Sequence, residues 1–179
     1  MHPRIAEAID YLEAKRAELL SSFAGASLER LKLRPRPGEW SAAEVIDHLR
    51  IVESGIGRLF AKKIAQARDA GLRLEDSEES ILGSLDHIGE TLDHGKIEAP
   101  VAVTPPLEVD VDAAITGLTV TRKTLIDALA SGDGLALGDI KHTHPILGEL
   151  DFYQWLVFVG RHEARHTRQI RRILAAPAK

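Results

Sequence analysis

The 179-residue chain contains no cysteine. That excludes disulfides, thiolate metal ligands and a cysteine nucleophile, so any metal has to sit on histidine and carboxylate. Aromatic residues are scarce at 4%, while apolar residues reach 44% with Ala and Leu prominent, a composition suited to helices around an aliphatic core. Neither sign of charge dominates. A formal net charge of −4 gives no reason to expect nucleic acid or an anionic membrane as a partner. No apolar run is long enough to span a bilayer, and the residues from Met1 to Glu7 hold no apolar signal core, so a cytoplasmic setting is expected. Phosphate-binding glycine loops, a Gly-x-Ser-x-Gly elbow and internal repeats are also missing. The length points to a single domain over 1–179.

Four stretches carry the 3.6-residue apolar period of amphipathic helices. The first covers 3–23, with Ile5, Ile9, Leu12, Leu19 and Phe23 on one side and Arg16 among them. The second, 41–68, opens at Ser41 with Glu44 three residues on, the pattern of a capping box. Its apolar side runs from Val45 to Ile64 with His48 at the edge, and Gly55 and Gly57 imply another backbone packed close. The third, 112–131, is capped by Asp110 or Asp112 and carries Ile115, Leu118, Leu125 and Leu129. The fourth, 151–174, is capped by Asp151. Between the second and third lies a long connection, 71–111, with room for a short helix near 77–92, an extended run from Pro100 to Pro106, and surface positions for His87 and His94. The segment from Lys141 to Leu150 reads as a loop, in which His142 and His144 are candidate extra ligands. Four helices with one long connection make a four-helix bundle, whose sites are built from inward residues on facing helices.

The fourth helix carries the chemistry. Phe152, Trp155, Leu156, Val159, Ile170 and Ile173 form one apolar stripe, and His162 and His166 sit in its middle, one turn apart. Arg161, Arg165, Arg168 and Arg172 fall on the opposite, solvated face. An inward imidazole has to hydrogen-bond or coordinate something, and two at this spacing suit a metal ion. Three motifs compete for them. His162-Glu163-x-x-His166 matches the metalloprotease pattern, but no His, Asp or Glu follows to supply a third ligand. A ferritin-like di-iron site needs a second Glu-x-x-His, and none is present. A mononuclear three-histidine site remains, completed across the bundle by His48 and leaving positions open for chemistry. Glu163 lies inside the apolar arc, where it would act as general base or orient Arg165 or a histidine.

Two segments resemble a known family. Pro35-x-Pro37-Gly38-Glu39-Trp40-Ser41 through Glu44 to His48-Leu49 resembles the second-helix entrance of the DinB/YfiT-like superfamily. His144-Pro145-x-Leu147-Gly148-x-Leu150 through Trp155 to His162-x-x-x-His166-x-x-Gln169-Ile170 resembles its last helix. The resemblance implies an all-α four-helix bundle holding a divalent metal, zinc or nickel, on His48, His162 and His166. It also implies thiol-dependent transferase or isomerase activity, or hydrolase-like chemistry, on a small-molecule substrate, with a low-molecular-weight thiol as cofactor, and a homodimeric assembly. A metal-binding protein without turnover is the alternative, because a fold does not settle a reaction.

Overall fold

The fold was determined as a computed structural model that describes residues 1–86 and 99–177. Five α-helices are present among them: α1 (Pro3–Phe23), α2 (Leu28–Lys32), α3 (Ala42–Asp69), α4 (Val111–Ser131) and α5 (Phe152–Ala175). The four long helices form an all-α four-helix bundle and match the four periodic stretches. Their ends follow from local chemistry. His2 and Asp110 accept from the first turns of α1 and α4, while Ser41 with Glu44 and Asp151 with Gln154 form reciprocal capping boxes on α3 and α5. Each long helix buries one stripe. α3 packs chiefly on α4, and α1 on α5, with α3 also against α5.

One close approach requires glycine, and a second is an ordinary contact. A Cβ on Gly160 of α5 would lie 2.2 Å from the Tyr11 ring of α1, so only glycine admits that ring. A Cβ on Gly57 of α3 would lie 3.6 Å from the backbone nitrogen of Leu125 in α4, in accord with the close backbone its position implied. Gly55 meets nothing within 4 Å.

Three local features differ from the sequence reading. The segment read as a loop is a β-hairpin, β1 (Lys141–His144) paired antiparallel with β2 (Gly148–Asp151), in register Lys141 with Asp151 and His144 with Gly148. Four-residue strands are too short to show a period, and Gly148 at φ +79° closes the connection. Residues 77–86, the described part of the short helix expected near 77–92, form no α-helix: 77–80 are irregular and 81–85 make a bend and turns. The remainder of that expectation, with His87 and His94, lies outside the described residues. The run from Pro100 to Pro106 is not wholly extended, since Val101–Val103 make one 3₁₀ turn. α2, capped by Ser27, seats Leu31 in the core. Among the described residues no helix is long and apolar enough to cross a membrane.

Candidate metal centre

His48 lies on the second turn of α3, and His162 and His166 lie on consecutive turns of α5. The α3–α5 contact turns all three inward. The Nε2 atoms of His48 and His162 are 3.3 Å apart, and those of His162 and His166 are 3.1 Å apart. One ligand atom from each of the three lies within 4.8 Å of the others. Metal–imidazole bonds of about 2.0–2.1 Å at tetrahedral angles set neighbouring nitrogens about 3.3 Å apart, so the spacing fits a shared ion.

The other ring nitrogens show which way the lone pairs point. His48 Nδ1 lies 2.8 Å from the carbonyl oxygen of Val103, and His166 Nδ1 lies 2.8 Å from Gln169 Oε1. Both partners are acceptors, so each Nδ1 carries the proton and each Nε2 offers a lone pair to the centre. Burial then keeps the rings neutral. It lowers His166 to about 3 and His162 well below its ordinary range, where His166 and His48 add repulsion. Burial lowers His48 too, partly opposed by the Val103 bond and Asp47. Three neutral imidazoles with converging lone pairs are what a divalent ion requires, and the cluster is compatible with metal binding. Trp40 packs on His48 at 5.0 Å, and Phe158 stacks on His162 at 5.4 Å.

Glu163 was expected to act as a base or to orient Arg165 or a histidine. Both its oxygens are committed elsewhere. Oε1 accepts from Arg16 Nε at 2.5 Å, and Oε2 accepts from Arg122 Nη2 at 2.8 Å. The two guanidiniums also reach Glu53, Arg16 Nη2 at 2.7 Å and Arg122 Nε at 2.7 Å. The result is a closed ring of two arginines and two glutamates, one residue from each long helix, all buried. Thr121 Oγ1 donates to Glu53 at 2.6 Å, and Arg16 Nη1 and Arg122 Nη1 donate to the carbonyls of Leu118 and Leu12, respectively. The ring lies beside the candidate centre, since Glu163 follows His162 directly and His162 borders one cavity with all four ring residues. A cavity of about 10 Å³ between them, bounded by His162, Glu163, Glu53, Arg16 and Arg122, is the size of one water molecule.

The DinB superfamily pattern matches residues 11–170. This chain belongs to the DinB superfamily. It is 29% identical over 161 residues to the uncharacterized protein YuaE of Bacillus subtilis (strain 168), covering 88% of this chain and 91% of YuaE. Its fold is similar to that of TT2238, described as a four-helix bundle protein. The TM-score is 0.62 at 21% identity, with 94% of this chain and 98% of that one covered.

In this DinB protein the remaining candidates stand apart from the centre. His144 is buried against Trp155 and Phe158, at 4.9 and 4.4 Å, and its Nδ1 accepts from the backbone N–H groups of Ile146 and Leu147, both at 3.1 Å. It therefore organises the hairpin turn. His142 is half-buried, and its carbonyl accepts from Trp155 Nε1 at 3.0 Å. On the arginine face of α5, Arg168 and Arg172 are exposed, but Arg161 is half-buried and donates to the Leu85 carbonyl at 3.0 Å. The Gln169 acceptor and the Val103 carbonyl were not singled out from sequence. Gln169 stands three residues after His166, on the same helix face, which was a usable signal. Val103 had none.

Two outcomes follow locally. Gln169→Leu removes the acceptor behind His166, so zinc affinity should fall about 10-fold with stoichiometry unchanged, measured by competition with a chromophoric chelator. Burial lowers His144 from 6.5 to about 4. A depressed histidine leaves the folded state with fewer protons than the unfolded one, so stability should decline as pH falls from 6.5 to about 4 and not change above that window. Asn at 144 keeps an acceptor for the two N–H groups but cannot titrate. Urea unfolding of metal-free His144→Asn should accordingly show a flatter acid limb than the parent.

Proposed function

We propose that this protein is a metal-dependent enzyme whose His48, His162 and His166 hold one divalent ion, zinc or nickel, with positions left for a small-molecule substrate. The convergence of three neutral Nε2 lone pairs, two of them fixed by acceptors behind the ring, carries this reading. Such an ion lowers the pKa of a bound thiol or water, or polarises an electrophile. The chain's own residues orient the ligands, exclude bulk water and keep the imidazoles unprotonated. A low-molecular-weight thiol is the favoured co-reactant, since a chain without cysteine has no thiolate of its own to compete for the ion. A cytoplasmic setting, where thiols stay reduced, fits that chemistry. A homodimer is the proposed assembly, C2 pairs being the commonest.

Glu163 acts in this reading as a positioning residue, holding the turn that carries His162 and His166 against α1 and α4. Its commitment to two guanidiniums also favours a second reading, metal binding without turnover, because it withdraws the one carboxylate expected as a base. Cobalt substitution separates the two. Cobalt-loaded protein titrated with a small thiol should develop a thiolate-to-metal charge-transfer band if a coordination position is open to substrate. One cobalt per chain with a spectrum indifferent to thiol and to azide would establish the non-catalytic reading.

A further inference from the structure

The connection that enters α4 reaches His48 through the carbonyl of Val103. We propose that residues 99–106 form a strap over the metal centre, seated when His48, His162 and His166 hold an ion and loosened when they do not. The inference rests on the three-histidine reading above.

The strap is largely self-contained. Its 3₁₀ turn is closed by Val103 N–H on the Pro100 carbonyl at 3.0 Å, Thr104 N–H on the Val101 carbonyl at 3.2 Å, and Thr104 Oγ1 on the Pro100 carbonyl at 3.3 Å. It has little apolar anchorage. Val101 is 92% exposed, Ala102, Thr104 and Pro106 are exposed, and only Pro105 is buried. Among the described residues, the polar tie from this segment to the bundle is the bond between the Val103 carbonyl and His48 Nδ1, at 2.8 Å. Segments with few buried contacts open at low free-energy cost, so a single hydrogen bond shifts their equilibrium measurably.

That bond depends on where the His48 proton sits. An ion on Nε2 excludes the proton there, and the neutral ring then carries it on Nδ1, where it donates to Val103. Without an ion, Nε2 of His48 is 3.3 Å from Nε2 of His162 and can hold the proton and donate it across that contact. Nδ1 then faces the carbonyl with a lone pair, and the tie is lost. Metal removes this competing tautomer and so favours the seated strap. By linkage, the seated strap favours metal to the same degree.

Hydrogen exchange read by mass spectrometry tests this on the full chain, chelator-stripped and then loaded with zinc alone. Zinc at one per chain should slow exchange in peptides covering 101–107 by about 3–10-fold, the effect of one neutral hydrogen bond. Pro105→Gly loosens the anchor without touching a ligand. It should abolish most of that zinc-dependent protection and weaken zinc binding by the same factor, with helical content unchanged by circular dichroism. Stoichiometric zinc with unaltered exchange over 101–107 overturns the strap alone, as does Pro105→Gly that frees the segment at undiminished zinc affinity. Failure of the parent chain to bind zinc overturns the three-histidine reading and the strap with it.

Discussion

Substituting any one of the three histidines should abolish tight metal binding. His48→Ala, His162→Ala and His166→Ala each leave two imidazoles, and among the described residues no other histidine or carboxylate joins the cluster. Removing an outer partner of a ligand already lowers affinity about 10–100-fold, and removing the ligand itself should exceed the upper end of that range. Metal-to-protein ratios after dialysis against micromolar zinc should fall from one to near zero, with circular dichroism showing the bundle intact. The double substitution His162→Ala with His166→Ala is the strictest form of the test. One zinc per chain retained in that protein would move the site elsewhere and would refute the assignment. His144 is an unsuitable substitute, because its Nδ1 is occupied by two backbone N–H groups.

Arg122→Met should be the most destabilising single change in the interior. The guanidinium satisfies one oxygen of Glu53 and one of Glu163, so its loss leaves two buried carboxylates sharing Arg16. Breaking a buried pair in this way costs about 3–5 kcal/mol, readable as a shift in the urea midpoint. Replacing the whole ring, as Arg16→Met, Glu53→Leu, Arg122→Met and Glu163→Leu together, should recover most of that loss, because no unpaired charge remains. The pH dependence has a definite sign. Burial raises the Glu53 pKa, but Arg122 and Arg16 outweigh it and hold the carboxyl below its ordinary 4.5. A depressed carboxylate contributes stability that is fully present above the unfolded value and lost as pH falls through the folded one. In Arg122→Met that contribution should shrink, and the acid limb below pH 4.5 should flatten. An Arg122→Met protein as stable as the parent would refute the ring's structural role.

The two results are linked by position. Glu163 lies between His162 and His166 in α5, and Glu53 stands about one and a half turns after His48 in α3. The ring therefore holds the rotation of α3 and α5 about their axes, and with it the direction of three imidazoles.

Much of this was legible in the chain itself. Four apolar stripes specified four helices, and Ser41, Asp110 and Asp151 marked three of their starts, because capping and periodicity are local properties. His162 and His166 declared themselves by standing one turn apart inside a stripe. The ring left a trace as well. Arg16 lies between Leu12 and Leu19, Arg122 between Leu118 and Leu125, Glu53 between Leu49 and Ile56, and Glu163 between Val159 and His166, each four residues after one and three before the other. A charge at such a place has to find a buried partner.

Which partner it finds is a matter of helix order and rotation, and no local pattern encodes either. Only the assembled bundle decided that Glu163 meets Arg16 and Arg122 rather than Arg165. The tertiary structure likewise turned His142 and His144 into parts of a hairpin, since strands of four residues carry too little periodicity to be read. It also brought the Val103 carbonyl to His48 across 55 positions. A backbone oxygen has no side-chain identity, so its role at the site is created entirely by the path the chain takes.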